Sequence, residues 1–137
     1  MELFIQIKDG KPFEHPILGG NFRQAFPHID PNNLPPEFAQ FERIEPPSIG
    51  IYEIYEGVTY EKHGDFYKDV HHVRGMTQDE VLAKQNQAKA EWSEIGFVSW
   101  LFDENTCSFV PPIPRPMDGK IYRWDEPTVS WVEVINA

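Results

Sequence analysis

Three histidines within ten positions of one another, His63, His71 and His72, are the first candidates for chemistry in this chain. Imidazole nitrogens bind zinc and other transition metals. Three carboxylates close to them could add oxygen ligands, namely Glu61, Asp65 and Asp69. Adjacent residues of a strand point to opposite faces, however, and the spacing is that of no standard metal site. We therefore expect solvated or partly packed histidines and no metal.

Cys107 is the only cysteine, so no internal disulfide is possible. A cysteine paired with a histidine could act as a nucleophile, provided that something lowers the pKa of the thiol. The sequence around Cys107 offers neither a helix N-terminus nor a basic neighbour for that purpose. We expect a structural or exposed thiol, and an intermolecular disulfide stays open.

Two Asp-Glu pairs could bind calcium or act as acid and base, but they belong to an internal repeat. The segment 102–110, Phe-Asp-Glu-Asn-Thr-Cys-Ser-Phe-Val, matches 124–132, Trp-Asp-Glu-Pro-Thr-Val-Ser-Trp-Val. A motif used twice with aromatics at the same places predicts a small hairpin. Its two aromatics pair across the strands, and Asp and Thr hold the turn. The proline-rich linker 111–116 between the repeats is predicted to be extended and stiff.

Composition and missing motifs exclude several functions. Lys and Arg total 12 against 22 Asp and Glu, a net charge of −10 that argues against nucleic acid and anionic membranes as partners. No apolar run has the roughly 20 residues of a membrane span, and the first residues carry no secretory signal. There is no phosphate loop, dinucleotide turn, serine elbow or CxxC pair. We expect no enzyme, no cofactor and no catalytic residue.

The C-terminal third is dense in aromatic residues that could stack on sugars, form a protein interface or close a thin core. Core closure is the default expectation, and a protein interface comes second. A short pair of hairpins has too little chain to bury all these rings against itself.

The elements that must position these residues follow from alternation and turn residues. Residues 2–8 and 11–17 read as a hairpin around Asp9-Gly10, and the prolines place the return strand at a sheet edge. A short helical turn at 21–26 precedes an irregular segment at 27–36. Extended chain is predicted at 38–44 and at 51–73, with a hairpin turn at 63–65.

The best predicted helix spans 77–94 and begins with a capping box, Thr77 to Glu80. Its apolar stripe is thin, so it should pack one narrow face on the sheet or on another subunit. The predicted fold is α+β, mainly β hairpins and a small antiparallel sheet with this one principal helix. It divides into a β-rich domain (1–75), the helix (76–96) and an aromatic hairpin tail (97–137). The interface candidates are Val81, Leu82, Gln85, Ala88, Trp92, Trp100, Phe109, Tyr122, Trp124 and Trp131.

Several passages resemble small proteins of tailed bacteriophages, encoded among tail and fibre genes and described as tail-fibre assembly or minor virion proteins. They are Asn-Phe-Arg-x-x-Phe-Pro at 21–27, Val-Arg-Gly-Met-Thr-x-x-Glu at 73–80, and Pro-Pro-x-Pro-x-Pro-x-Asp-Gly-Lys-x-Tyr-x-Trp-Asp-Glu at 111–126. The resemblance implies a protein that binds other phage proteins, either as a fibre chaperone or as a permanent tail or capsid component. It implies a location in the host cytoplasm during assembly or in the mature virion. A homo-oligomer, such as a trimer, is compatible with both roles.

Two other hypotheses remain. A carbohydrate-binding module would use Trp124 and Trp131 as a stacking surface. A small hydrolase would use Cys107 or the paired carboxylates.

Overall fold

The computed structural model describes residues 1–135, which form two compact units. Unit 1 comprises Met1–Ile49 and Glu53–Arg74, and unit 2 comprises Gly50–Tyr52 and the chain from Gly75 onwards. The helix and the aromatic hairpins, which the sequence suggested as separate parts, therefore lie in the same unit. The fold is α+β and mainly β, as predicted.

Unit 1 is a five-stranded sheet with one short helix. In chain order it contains β1 (Leu3–Lys8), β2 (Lys11–Leu18), α1 (Gly19–Ala25), β3 (Phe38–Glu42), β4 (Glu53–His63) and β5 (Phe66–Gly75). The strand order is β2-β1-β3-β5-β4, so the proline-containing β2 lies at an edge, as its sequence predicted. β3 and β5 run parallel, with Gln40 opposite Phe66. The sheet is therefore mixed, whereas the sequence predicted an antiparallel one.

Apolar side chains cover both faces of this sheet because alternate residues of β1 point to opposite sides. Leu3 and Ile5 pack with Phe41 and Tyr67 on one face. On the other face Phe4 stacks on Phe22 of α1, with ring centroids 4.3 Å apart, and Phe38 joins them. The short helix predicted at 21–26 thus forms, at Gly19–Ala25, and its Phe22 is fully buried.

Unit 2 consists of one helix and two hairpins. The helix α2 spans Gln78–Ile95, and the predicted capping box is present, since Thr77 and Glu80 each bond the backbone amide of the other. Gly96 ends the helix in the left-handed conformation. The first hairpin pairs β6 (Leu101–Asp103) with β7 (Ser108–Val110), and the second pairs β8 (Tyr122–Asp125) with β9 (Ser130–Glu133).

Candidate protein-binding surface

The two hairpins are structural copies of each other, as the sequence repeat predicted. Phe102 lies directly opposite Phe109, and Trp124 lies directly opposite Trp131. Both loops place their fourth residue in the left-handed region, with φ of 51° at Cys107 and 48° at Val129. This conformation turns a four-residue loop back into the second strand.

The hairpin carboxylates hold the loops. Asp103 accepts a hydrogen bond from the amide of Asn105 at 3.0 Å. Asp125 accepts one from the hydroxyl of Thr128 at 2.5 Å, and this bond holds the pKa of Asp125 below its ordinary value. These contacts agree with the turn interpretation of the Asp-Glu pairs.

Glu126 departs from the turn role. Its carboxylate accepts hydrogen bonds from the indole Nε1 of Trp124 at 2.7 Å and from the amide and hydroxyl of Ser99 at 2.7 and 2.8 Å. The hydrogen bond from Trp124, followed by those from Ser99, keeps the pKa of Glu126 below its ordinary value. Glu126 therefore fixes the segment before the first hairpin onto the second hairpin.

The tryptophan and phenylalanine rings of unit 2 form one continuous cluster. Trp100 lies at its centre, with ring centroids 4.9 Å from Trp92, 5.6 Å from Trp124 and 6.1 Å from Trp131. Trp92 stacks on Phe109 at 5.0 Å with nearly parallel rings. Because the rings cover one another, the small unit gains a core, which was the default expectation from the sequence.

The helix α2 joins the cluster through one narrow stripe. Its Trp92 donates from Nε1 to the carbonyl of Phe97 at 2.9 Å, and Gln85 donates to the hydroxyl of Tyr52 at 3.1 Å. No residue of the helix is fully buried. Leu82 is exposed, whereas Val81 and Ala88 are half-buried.

The remaining interface candidates are engaged within the chain. Trp124 is only 7% exposed. Tyr122 donates to Asp118 at 2.6 Å, which raises the pKa of Tyr122 to about 12. Trp131 donates to the carbonyl of Ile113 at 2.8 Å and lies beneath Arg115. The proline-rich linker therefore packs on the second hairpin, and it bends at residues 112–113, whereas the sequence predicted a stiff extended spacer.

The outward faces of the two hairpins differ, and this difference escaped the sequence reasoning. In the first hairpin Leu101 lies opposite Val110, and the two are 63% and 38% exposed. In the second hairpin Arg123 takes the place of leucine, opposite Val132. Aligning the repeats one residue further toward the N-terminus would have revealed the leucine-for-arginine difference. The first hairpin thus has an apolar outer pair where its copy carries a charge.

The three histidines have separate partners in unit 1. His71 donates from Nε2 to the carbonyl of Ile44 at 2.7 Å, and its Nδ1 bonds the hydroxyl of Tyr55. His72 bonds the hydroxyl of Thr59 at 2.7 Å. Over residues 1–135 no group of three histidine, cysteine or carboxylate side chains could hold a metal ion. The half-buried thiol of Cys107 sits at the loop of the first hairpin, in unit 2.

Comparison with known proteins gave no match: no family model, no curated protein and no solved structure matches this chain. Among the helices of the described residues, none is long and apolar enough to cross a membrane.

Proposed function

We propose that this chain is a non-enzymatic bacteriophage protein that binds other proteins during assembly of the tail or tail fibre. The family resemblance of its sequence passages suggests the phage setting. One structural observation supports action by binding, namely the exposed apolar pair Leu101 and Val110 on the outside of the first hairpin.

The repeat supplies an internal comparison for this surface. Both hairpins have the same loop conformation, and each has an inward aromatic pair at the equivalent positions, Phe102 with Phe109 and Trp124 with Trp131. The outer pair faces away from the aromatic cluster, since alternate strand residues point to opposite faces. An arginine suits solvent there, as in the second hairpin. A leucine exposed at 63% leaves apolar area that a partner could remove from water.

The aromatic cluster would make this surface a rigid one. Phe109 is held between Phe102 and Trp92, with ring centroids 5.2 and 5.0 Å away. A surface that is ordered before binding loses less conformational entropy when the partner docks. Val98 lies three residues before Leu101 in the sequence and is 87% exposed, so it is a further exposed apolar residue of the same segment.

The alternative use of this region as a sugar-stacking surface has less support. Trp124 is buried, and the ring of Trp131 is in contact with Trp100, Trp124 and Arg115. A stacking residue needs an open ring face.

Co-expression with the tail and tail-fibre proteins encoded beside this chain tests the proposal. We expect a complex that co-purifies with the wild-type chain and is lost in Leu101→Arg. This variant carries the residue that the second hairpin already has at the equivalent place, so the hairpin should still fold. Ile121→Arg is the matched control, because it adds the same charge to an aliphatic residue of similar exposure, 59%. Absence of any complex, or equal loss in both variants, would contradict the proposal.

Mass spectrometry of purified particles separates the two roles within this function. A permanent virion component would be present in stoichiometric amount. A chaperone that dissociates after assembly would be absent or present in trace.

A further inference from the structure

The proline-rich linker 111–116 is a feature of unit 2 to which the exposed apolar pair of the first hairpin assigns no role. Four of its six residues are prolines, and each of the other two precedes a proline. A proline fixes its own φ and forces the residue before it into an extended conformation. After the bend at 112–113, residues 114–117 contain no turn, helix or strand. These restrictions hold the second half of the linker close to polyproline II.

The linker is exposed although two contacts hold it in place. The indole of Trp131 donates to the carbonyl of Ile113 at 2.8 Å, and the guanidinium carbon of Arg115 lies 5.9 Å from the centroid of the same ring. Residues 112–117 are all exposed, with Ile113 at 46% and Met117 at 97%. The segment therefore presents proline and other apolar side chains to a partner, and a segment that is ordered before binding loses less conformational entropy.

Arg115 differs from the other arginines in its electrostatic surroundings. Within residues 1–135 it forms no ion pair, whereas the other four each pair with a carboxylate: Arg23, Arg43, Arg74 and Arg123. Stacking on the indole occupies the flat face of the guanidinium and leaves its edge N–H groups as donors. In a chain with 22 carboxylates, this arginine between two prolines is available to a carboxylate of another protein.

We propose that residues 112–117 are a ligand for a partner protein whose groove is lined with aromatic side chains and carries a carboxylate for Arg115. Proline-rich extended segments dock in aromatic grooves, where ring faces pack on the prolines and the preformed chain loses little entropy. Trp131 uses similar chemistry within this chain, since its indole donates to a linker carbonyl. This proposal rests on the proposed function, because it names the chemistry of the tail or tail-fibre protein that binds this chain.

Isothermal titration of the full-length chain with the tail or tail-fibre protein that co-purifies with it tests the proposal. We expect Arg115→Ala to raise the Kd by about fivefold, the effect of one lost charge pair at an interface. This increase should shrink at about 1 M salt, because salt screens the pair. Pro114→Ala should raise the Kd by about threefold, because the free segment becomes more flexible.

Arg123→Ala and Pro127→Ala are the matched controls. Arg123 is an exposed arginine of unit 2 that pairs with Asp125, and Pro127 is an exposed proline in the loop of the second hairpin. All four variants change exposed side chains and should keep the wild-type midpoint of thermal unfolding.

The outcomes distinguish this proposal from the proposed function. A complex that forms with the same Kd in the wild type, Arg115→Ala and Pro114→Ala would overturn the linker as ligand and leave the proposed function intact. Equal increases of the Kd in the control variants would overturn it as well. Absence of any complex with the wild-type chain would contradict the proposed function and, with it, this proposal.

Discussion

Val129 adopts a backbone conformation that valine rarely takes. Its φ of 48° lies in the left-handed region, where the Cβ of an L-residue costs about 1–2 kcal/mol, and most for a β-branched residue. Glycine has no such penalty, although it loses more chain entropy on folding. We expect Val129→Gly to raise the free energy of unfolding by about 1 kcal/mol, measured by urea denaturation.

Val132→Gly is the control for that substitution. Val132 lies in β9, opposite Arg123, and its φ is not positive, so glycine there should lower the free energy of unfolding by about 1 kcal/mol. Equal effects of the two variants would argue against strain in the loop.

Glu126 makes the stability of unit 2 depend on pH. Its pKa in the folded chain lies below the ordinary value of 4.5, so its contribution is complete above that value. The contribution is lost as the pH falls through the lowered folded pKa. We expect Glu126→Gln to lower the unfolding midpoint at pH 7 and to flatten its decline on acidification. Unfolding curves between neutral and acidic pH measure both effects.

Glu94→Gln removes the same charge from an exposed position of α2 and serves as the comparison. Its acid dependence should follow that of the wild type. An unchanged profile in Glu126→Gln would show that the hydrogen bonds from Trp124 and Ser99 do not stabilise the charged carboxylate.

At the residue scale, the sequence identified the aromatic side chains of unit 2 as important, but it did not show whether they are buried or exposed. The large aromatics were chosen as interface candidates because they are dense in a short segment. Trp124 is instead buried under Trp100, because a unit with few other apolar residues uses its largest rings as core. Leu101, which is 63% exposed, was not among the interface candidates, because a single leucine in a strand carries no signal of its own.

At the element scale, the capping box of α2 permits a direct test. Thr77 accepts from the amide of Glu80, and Glu80 accepts from the amide of Thr77. Thr77→Ala leaves the amide of Glu80 without this partner and should cost about 1 kcal/mol. Thermal unfolding followed by far-UV circular dichroism measures the loss.

Ser93→Ala is the matched control in the last turn of the same helix. Its hydroxyl only bonds back to the carbonyl of Ala90, a contact that adds little to a helix. A loss as large as that in Thr77→Ala would mean that the helix responds to any hydroxyl removed.

The local elements were predictable because their signals are local. The Asp9-Gly10 turn, the edge strand β2, the helix α2 and the aromatic pairs of both hairpins were all predicted from short sequence patterns. The parallel pairing of β3 with β5 was not. It places Gln40 beside Phe66 with β4 on the far side, and alternation within a strand contains no information about such non-local partners.

At the scale of the whole molecule, charge makes a prediction that does not depend on the fold. A net charge of −10 repels phosphate backbones and anionic lipid surfaces. We expect no retardation of duplex DNA in a gel-shift assay, and no flotation with phosphatidylserine vesicles, at physiological salt. A basic protein of similar size provides the positive control, and binding by this chain would reveal a local basic surface that the total charge conceals.

All four tryptophans belong to unit 2, so the tryptophan fluorescence of the chain comes from unit 2 alone. With ring centroids about 5–6 Å apart, excitation absorbed by one indole passes readily to its neighbours. The emission is therefore a collective signal of the aromatic cluster. A partner docking on the first hairpin could be followed by intrinsic fluorescence without any label.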